Sequence, residues 1–90
     1  MNKQSNIHNT SFTAQRQRLL EALRERSLTT VDCRKELNII APAPRIYELR
    51  HNYGHEILTE RVTVADEQGR LHRRIARYHL INEAKRGGDL

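Results

Sequence analysis

The apolar pattern of this 90-residue chain changes period once, at Gly54. Ahead of Gly54, apolar residues recur at three- and four-residue spacing, the period of an amphipathic helix. Beyond it they alternate, the period of a half-buried strand. Helices first and strands last is an α+β order. Ninety residues allow one domain, and a chain so short supports only a small core.

Three helices are expected before the switch. In TAQRQRLLEALRER, Thr13 is placed as the N-cap of a first helix over 14–26. Ala14, Leu19, Leu20 and Leu23 form its apolar stripe, and Arg16, Arg18, Arg24 and Arg26 share a solvated face with Glu21 and Glu25. In SLTT, Leu28 is a lone anchor, and Thr29 or Thr30 caps a second helix over 30–37; with Thr29 at the cap, Asp32 falls at its third position. Val31, Cys33 or Arg34, and Leu37 are its inward positions. Asn38 tolerates the left-handed backbone that ends a helix, and Ile39 and Ile40 lead the chain into the core. Pro42 holds the next residues extended, Pro44 opens the third helix, and Gly54 stops it. Ile46, Leu49 and Tyr53 form the buried stripe of this helix.

The alternating stretch HEILTERVTVADEQGRLHRRIARYHLI folds back on itself at Asp66 to Gly69. With Gly69 in the left-handed position of a three-residue loop, Asp66 pairs with Arg70. Leu58, Val62 and Val64 then share a face with Ala76, Tyr78 and Leu80. Thr59, Arg61, Thr63, Arg73, Ile75 and Arg77 take the other face, and His72 and Arg74 fall on the inward side near the tip. Residues 1–11 are a polar, disordered lead-in, 12–82 the folded domain and 83–90 a flexible tail.

Three helices followed by a two-stranded antiparallel hairpin is the order of a winged helix-turn-helix. Three short helices cannot enclose a core alone, and the hairpin closes the open side with Val62, Ala76, Tyr78 and Leu80. The third helix is left outward, free to enter a major groove roughly 12 Å wide. The chain also resembles the small bacterial and phage helix-turn-helix domain family. The resemblance runs from TAQRQRLLEALRER through LTTVDCRKELNI and PAPRIYELRHNYG to GRLHRRIARYHL, roughly residues 13 to 81. Its most specific element is RIxELR, here Arg45, Ile46, Glu48, Leu49 and Arg50. The sequence departs from the family at Pro44 and Cys33, where alanine is common. The resemblance implies a winged-helix fold and DNA binding, and it supplies no cognate sequence.

Charge agrees with that implication. Thirteen arginines and three lysines against eleven acidic residues give a net charge of +5 and a pI near 10.0. Arginine is the cation suited to bidentate phosphate and guanine contacts. The expected contacts are Ala43, Arg45, Tyr47, Arg50 and His51 on the third helix, with Arg61, Arg73, Arg74 and Arg77 in the wing. The expected partner is double-stranded DNA, bound by a phage or bacterial transcriptional regulator that a homodimer or protein partner would help to anchor. A winged-helix protein-interaction module and an architectural protein of excision or packaging are the alternatives.

Other chemistries find no support in the residues. A single cysteine, Cys33, allows neither an internal disulfide nor a cysteine-based zinc site, and His51 and His55 are separated by the helix-breaking Gly54. No nucleophile triad, phosphate-cradling glycine loop or carboxylate pair is present, so neither an enzyme nor a cofactor or small-molecule substrate is expected. Without an apolar run of membrane length or a signal peptide, the expected location is the cytoplasm, away from any membrane.

Overall fold

The computed structural model describes residues 7–85. The first six residues of the polar lead-in and the last five of the tail lie outside the described residues.

Helix α1 (Phe12–Glu25) starts earlier than the sequence suggests, because Ser11 rather than Thr13 is the N-cap, its side chain accepting from the Ala14 N–H at 3.2 Å. Strand β1 (Leu28–Thr29) follows. Helix α2 (Thr30–Leu37) begins with the expected capping box between Thr29 and Asp32 and ends at Asn38, whose φ is 55°. Helix α3 (Pro42–His51) has Pro42 as its first residue, not as an extended lead. Both prolines are tolerated because the first-turn N–H groups have no intrahelical acceptor. Gly54, at φ +77°, turns the chain so that the His55 N–H returns to the Leu49 carbonyl at 3.0 Å.

Strands β2 (Glu56–Ala65) and β3 (Leu71–Asn82) form the hairpin. The sheet has three strands rather than two, in the order β1-β3-β2, since Leu28 and Thr29 pair with Tyr78 and Arg77. The link read as a lone anchor is therefore also a strand, and it covers the edge of β3 that a two-stranded hairpin would leave open.

The loop is as expected. Asp66 and Arg70 pair, and Gly69 stands at φ +80°. Farther from the loop the register departs from the sequence reading. Val64 faces His72, but Val62 faces Ile75, so Thr63 opposes both Arg73 and Arg74. The extra residue is Arg74, at φ +59°. A one-residue slip moves every later side chain to the other face. Ile57, Thr59 and Arg61 therefore share the helix-facing side with Leu80, Tyr78 and Ala76. Leu58 is exposed, and Ile75 and Arg77 lie on the outer face with Glu60 and Val62.

The core joins Leu19, Leu20 and Leu23 of α1 to Leu28, Cys33, Ile39, Ile46, Leu49, Ile57, Ala76 and Tyr78. Ile40 and Val31, expected inside, are exposed. A run of two isoleucines leaving a left-handed turn presents only one of them to the core. Burial raises the Cys33 thiol to about 12, so it is a reduced, unreactive packing residue. Residues at both margins of the domain are anchored. Arg18 donates to the Asn9 carbonyl at 2.7 Å, and Arg24 pairs with Glu83. No helix among the described residues is long and apolar enough to cross a membrane.

Candidate nucleic-acid interface

Packing Pro42, Ile46 and Leu49 inward leaves Ala43, Pro44, Tyr47 and His51 as the exposed face of α3. Tyr47 is 60% exposed, and its ring lies 4.3 Å from that of His51, centroid to centroid, one helical turn on. Ile40, 69% exposed, extends this face at the α2–α3 turn. Apart from His51, then, the outward surface of the helix carries no basic side chain.

The two arginines of α3 point into the protein. Arg45, expected at the interface, is buried. Its Nη2 donates to Glu48 Oε2 at 3.0 Å, its Nε lies 2.9 Å from Glu48 Oε1, and its guanidinium sits 3.5 Å from the Phe12 ring centroid. Arg16 of α1, expected on a solvated face, donates to the same carboxylate at 2.9 Å. Burial pushes Glu48 up, but the hydrogen bonds from Arg16 and Arg45 outweigh it and hold the carboxyl below its usual value. Arg50, also expected at the interface, donates from Nε to the Ile57 carbonyl at 2.8 Å and from Nη2 to Thr59 Oγ1 at 2.6 Å. RIxELR is thus a device for seating α3: one arginine ties it to α1 and the other ties it to β2.

The wing is different. Arg61 lies on the helix-facing side of β2, one pleat period of about 7 Å past Thr59. Burial raises the Tyr78 hydroxyl, and a hydrogen bond with Thr30 and the charges of Arg61 and Arg50 oppose that rise. The bulge sets Arg73 and Arg74 together opposite Thr63, the residue one pleat period beyond Arg61 on the same face of β2. All three arginines are exposed, and none has a carboxylate partner among the described residues. Arg77, the fourth wing arginine of the sequence reading, is on the outer face, where Nη1 donates to Ser27 Oγ at 3.1 Å.

A rigid loop holds this cluster. Asp66 accepts from His72, from the Arg70 and Gln68 backbone N–H groups, and from the Arg70 side chain. Together, led by the His72 contact, these bonds lower its carboxyl to about 2. Glu67 meets Lys35 of α2 at 3.0 Å, so the hairpin leans over the helix-turn-helix. At the hairpin root, His55 is buried and its Nδ1 accepts the Ala84 N–H at 3.0 Å.

The sequence could not reveal the bulge, because Arg73-Arg74 carries no glycine or asparagine to mark it. The engagement of Arg45 and Arg50 depended on partners that only the folded chain brings near, although Glu48 three residues after Arg45 was a visible hint.

Comparison with known proteins agrees with this architecture. The family model described as winged helix-turn-helix domain matches residues 14–83. No curated protein and no solved structure matches the chain. The match covers α1 from Ala14 onward, both helices of the helix-turn-helix (α2 and α3) and the whole wing, and the chain belongs to the winged helix-turn-helix domain family, whose general use is binding DNA.

Proposed function

We propose that this chain is a duplex-DNA-binding regulator of bacterial or phage type. Ala43, Tyr47 and His51 of α3 face base edges in the major groove, and Arg61, Arg73 and Arg74 of the wing hold the flanking backbone and minor groove. The observation that carries this reading is the set of three wing arginines, exposed, without carboxylate partners among the described residues and on the side of the sheet that faces α3. Arg45 and Arg50 are positioning residues that orient the helix. Affinity comes chiefly from phosphate contacts, so log K falls with log salt by roughly 0.9 per neutralised phosphate. So small a footprint binds firmly only as a dimer or beside a partner.

A backbone NMR titration with a mixed-sequence duplex tests this. Perturbation of Ala43 to His51 and of Arg61, Arg73 and Arg74 at low salt, fading as salt rises, is expected. Silence at those residues at low salt would sink the reading. A second reading has its own observation: Ile40, Ala43, Pro44 and Tyr47 form an exposed, largely apolar surface that suits a protein partner. Under that reading, the same residues would respond to a protein and not to DNA.

A further inference from the structure

We infer that the duplex this domain selects is A·T-rich, read through thymine methyl groups by α3 and through a narrow minor groove by the wing. The inference rests on the DNA-binding reading above and adds the class of site to it. It stands on what the fold does with its donors. Guanine is recognised in the major groove chiefly by a free Arg or Lys, and adenine by Asn or Gln. Helix α3 has no Lys, Asn or Gln, and both of its arginines are engaged by Glu48, the Ile57 carbonyl and Thr59. What it shows to a groove is Ala43, Pro44, the Tyr47 ring and His51, with Ile40 beside them. The base-edge feature that an apolar surface reads is the thymine C5 methyl.

The wing points the same way from a separate observation. Arginines inserted in a minor groove favour the narrow, strongly negative grooves of A·T tracts. The bulge sets two neighbouring arginines opposite one residue, where a regular strand would send them to opposite faces. It does so with Arg74 at φ +59°, a conformation that disfavours any residue but glycine, asparagine or aspartate. A strained, exposed arginine beside a second one is understandable if the pair is used together.

Four 20-base-pair duplexes, compared by fluorescence anisotropy at one low salt concentration, separate the two contributions. They are an A·T-rich duplex, a G·C-rich duplex, an inosine·C duplex and an A·U duplex. Inosine·C keeps the major-groove edge of G·C but lacks its minor-groove amino group. A·U keeps every hydrogen-bonding group of A·T and lacks only the methyl.

The A·T duplex is expected to bind about tenfold or more tighter than the G·C duplex. Inosine·C should recover part of that difference, and A·U should lose part of it. Arg73→Lys with Arg74→Lys, which keeps the charge, should reduce the gain of inosine·C over G·C. Tyr47→Ala should abolish the difference between A·T and A·U. Equal, salt-sensitive binding to all four duplexes would overturn the inference and leave DNA binding intact. Inosine·C no better than G·C would remove the wing's part, and A·U equal to A·T would remove that of α3. Failure to bind any duplex would overturn the DNA-binding reading itself.

Discussion

Arg45 of α3 and Arg74 of the wing are the same residue type on two elements that flank one surface, yet their surroundings are opposites. Arg45 is buried between Glu48 and the Phe12 ring, and Arg74 is exposed on a strained bulge with no carboxylate partner among the described residues. Arg50 behaves like Arg45, and Arg61 and Arg73 behave like Arg74. A basic residue on a recognition helix is therefore no guide to its use. A guanidinium whose donors are taken by carboxylate, carbonyl and hydroxyl oxygens at 2.6–3.0 Å holds the fold, while one left in solvent keeps its charge available to a ligand. The difference here is that α3 is positioned by its arginines while the wing leaves Arg61, Arg73 and Arg74 exposed.

Substitutions can break that division, and the largest effect should come at Arg45. Arg45→Ala leaves Glu48 with Arg16 as its remaining partner and uncovers Phe12. A loss of about 3 kcal/mol is expected, the low end for breaking a buried pair, in urea unfolding. DNA affinity per folded molecule should fall only as far as the seating of α3 loosens, with the salt slope unchanged. A salt slope reduced by about 1 in a fully folded variant would move Arg45 into the interface.

Arg50→Ala should cost about 2 kcal/mol through two lost charged hydrogen bonds. It should also loosen the angle between α3 and β2, visible as increased amide exchange at Ile57 and Thr59. Unchanged exchange there would mean that α3 is held without it.

The wing should show the reverse pattern. Arg73→Ala with Arg74→Ala should leave stability within about 0.5 kcal/mol while lowering duplex affinity about tenfold and reducing the salt slope by about 1 per arginine. Arg74→Gly sharpens the contrast, because glycine adopts the bulge conformation freely. It should raise stability by about 1 kcal/mol and still weaken binding. A stabilised variant that bound DNA as well as the parent would exclude Arg74 from the contact.

The smallest effect expected is at the junction of the two regions. Burial holds His55 below the ordinary histidine value, with Arg24 pulling the same way and Glu83 opposing. A depressed histidine is neutral in the fold, so its contribution is intact above about pH 6.5 and is lost as pH falls through its lower folded value. Thermal unfolding from pH 7.5 to 5 should show a modest loss of stability, and His55→Gln should flatten it. The loop carboxylate Asp66, at about 2, titrates in a separate window: its contribution is complete above the ordinary aspartate value and disappears toward pH 2. A single transition covering both ranges would mean that the root and tip of the hairpin unfold as one unit.

Local chemistry wrote much of this molecule plainly. The change of period at Gly54, the Thr29–Asp32 capping box, the left-handed Asn38 and the Asp66–Gly69 loop each depend on residues close in sequence, and each stands where it was read. The basic composition and the apolar stripe of Ile46 and Leu49 were legible for the same reason. Three features required distant parts of the chain. The third strand exists because Leu28 meets Tyr78, fifty positions away, and two residues alone carry no strand signal. The bulge at Arg74 exists because the loop sets one register and the core beneath Ile57, Ala76 and Tyr78 requires another, and one extra residue reconciles them. The fate of each arginine followed from where acceptors lay after folding, since Glu48, the Ile57 carbonyl and Thr59 reach Arg45 and Arg50, while no carboxylate among the described residues reaches Arg61, Arg73 or Arg74. The number of cations was a property of the sequence; which of them remain free for a ligand was decided by tertiary packing, because a guanidinium's use depends on the acceptors around it.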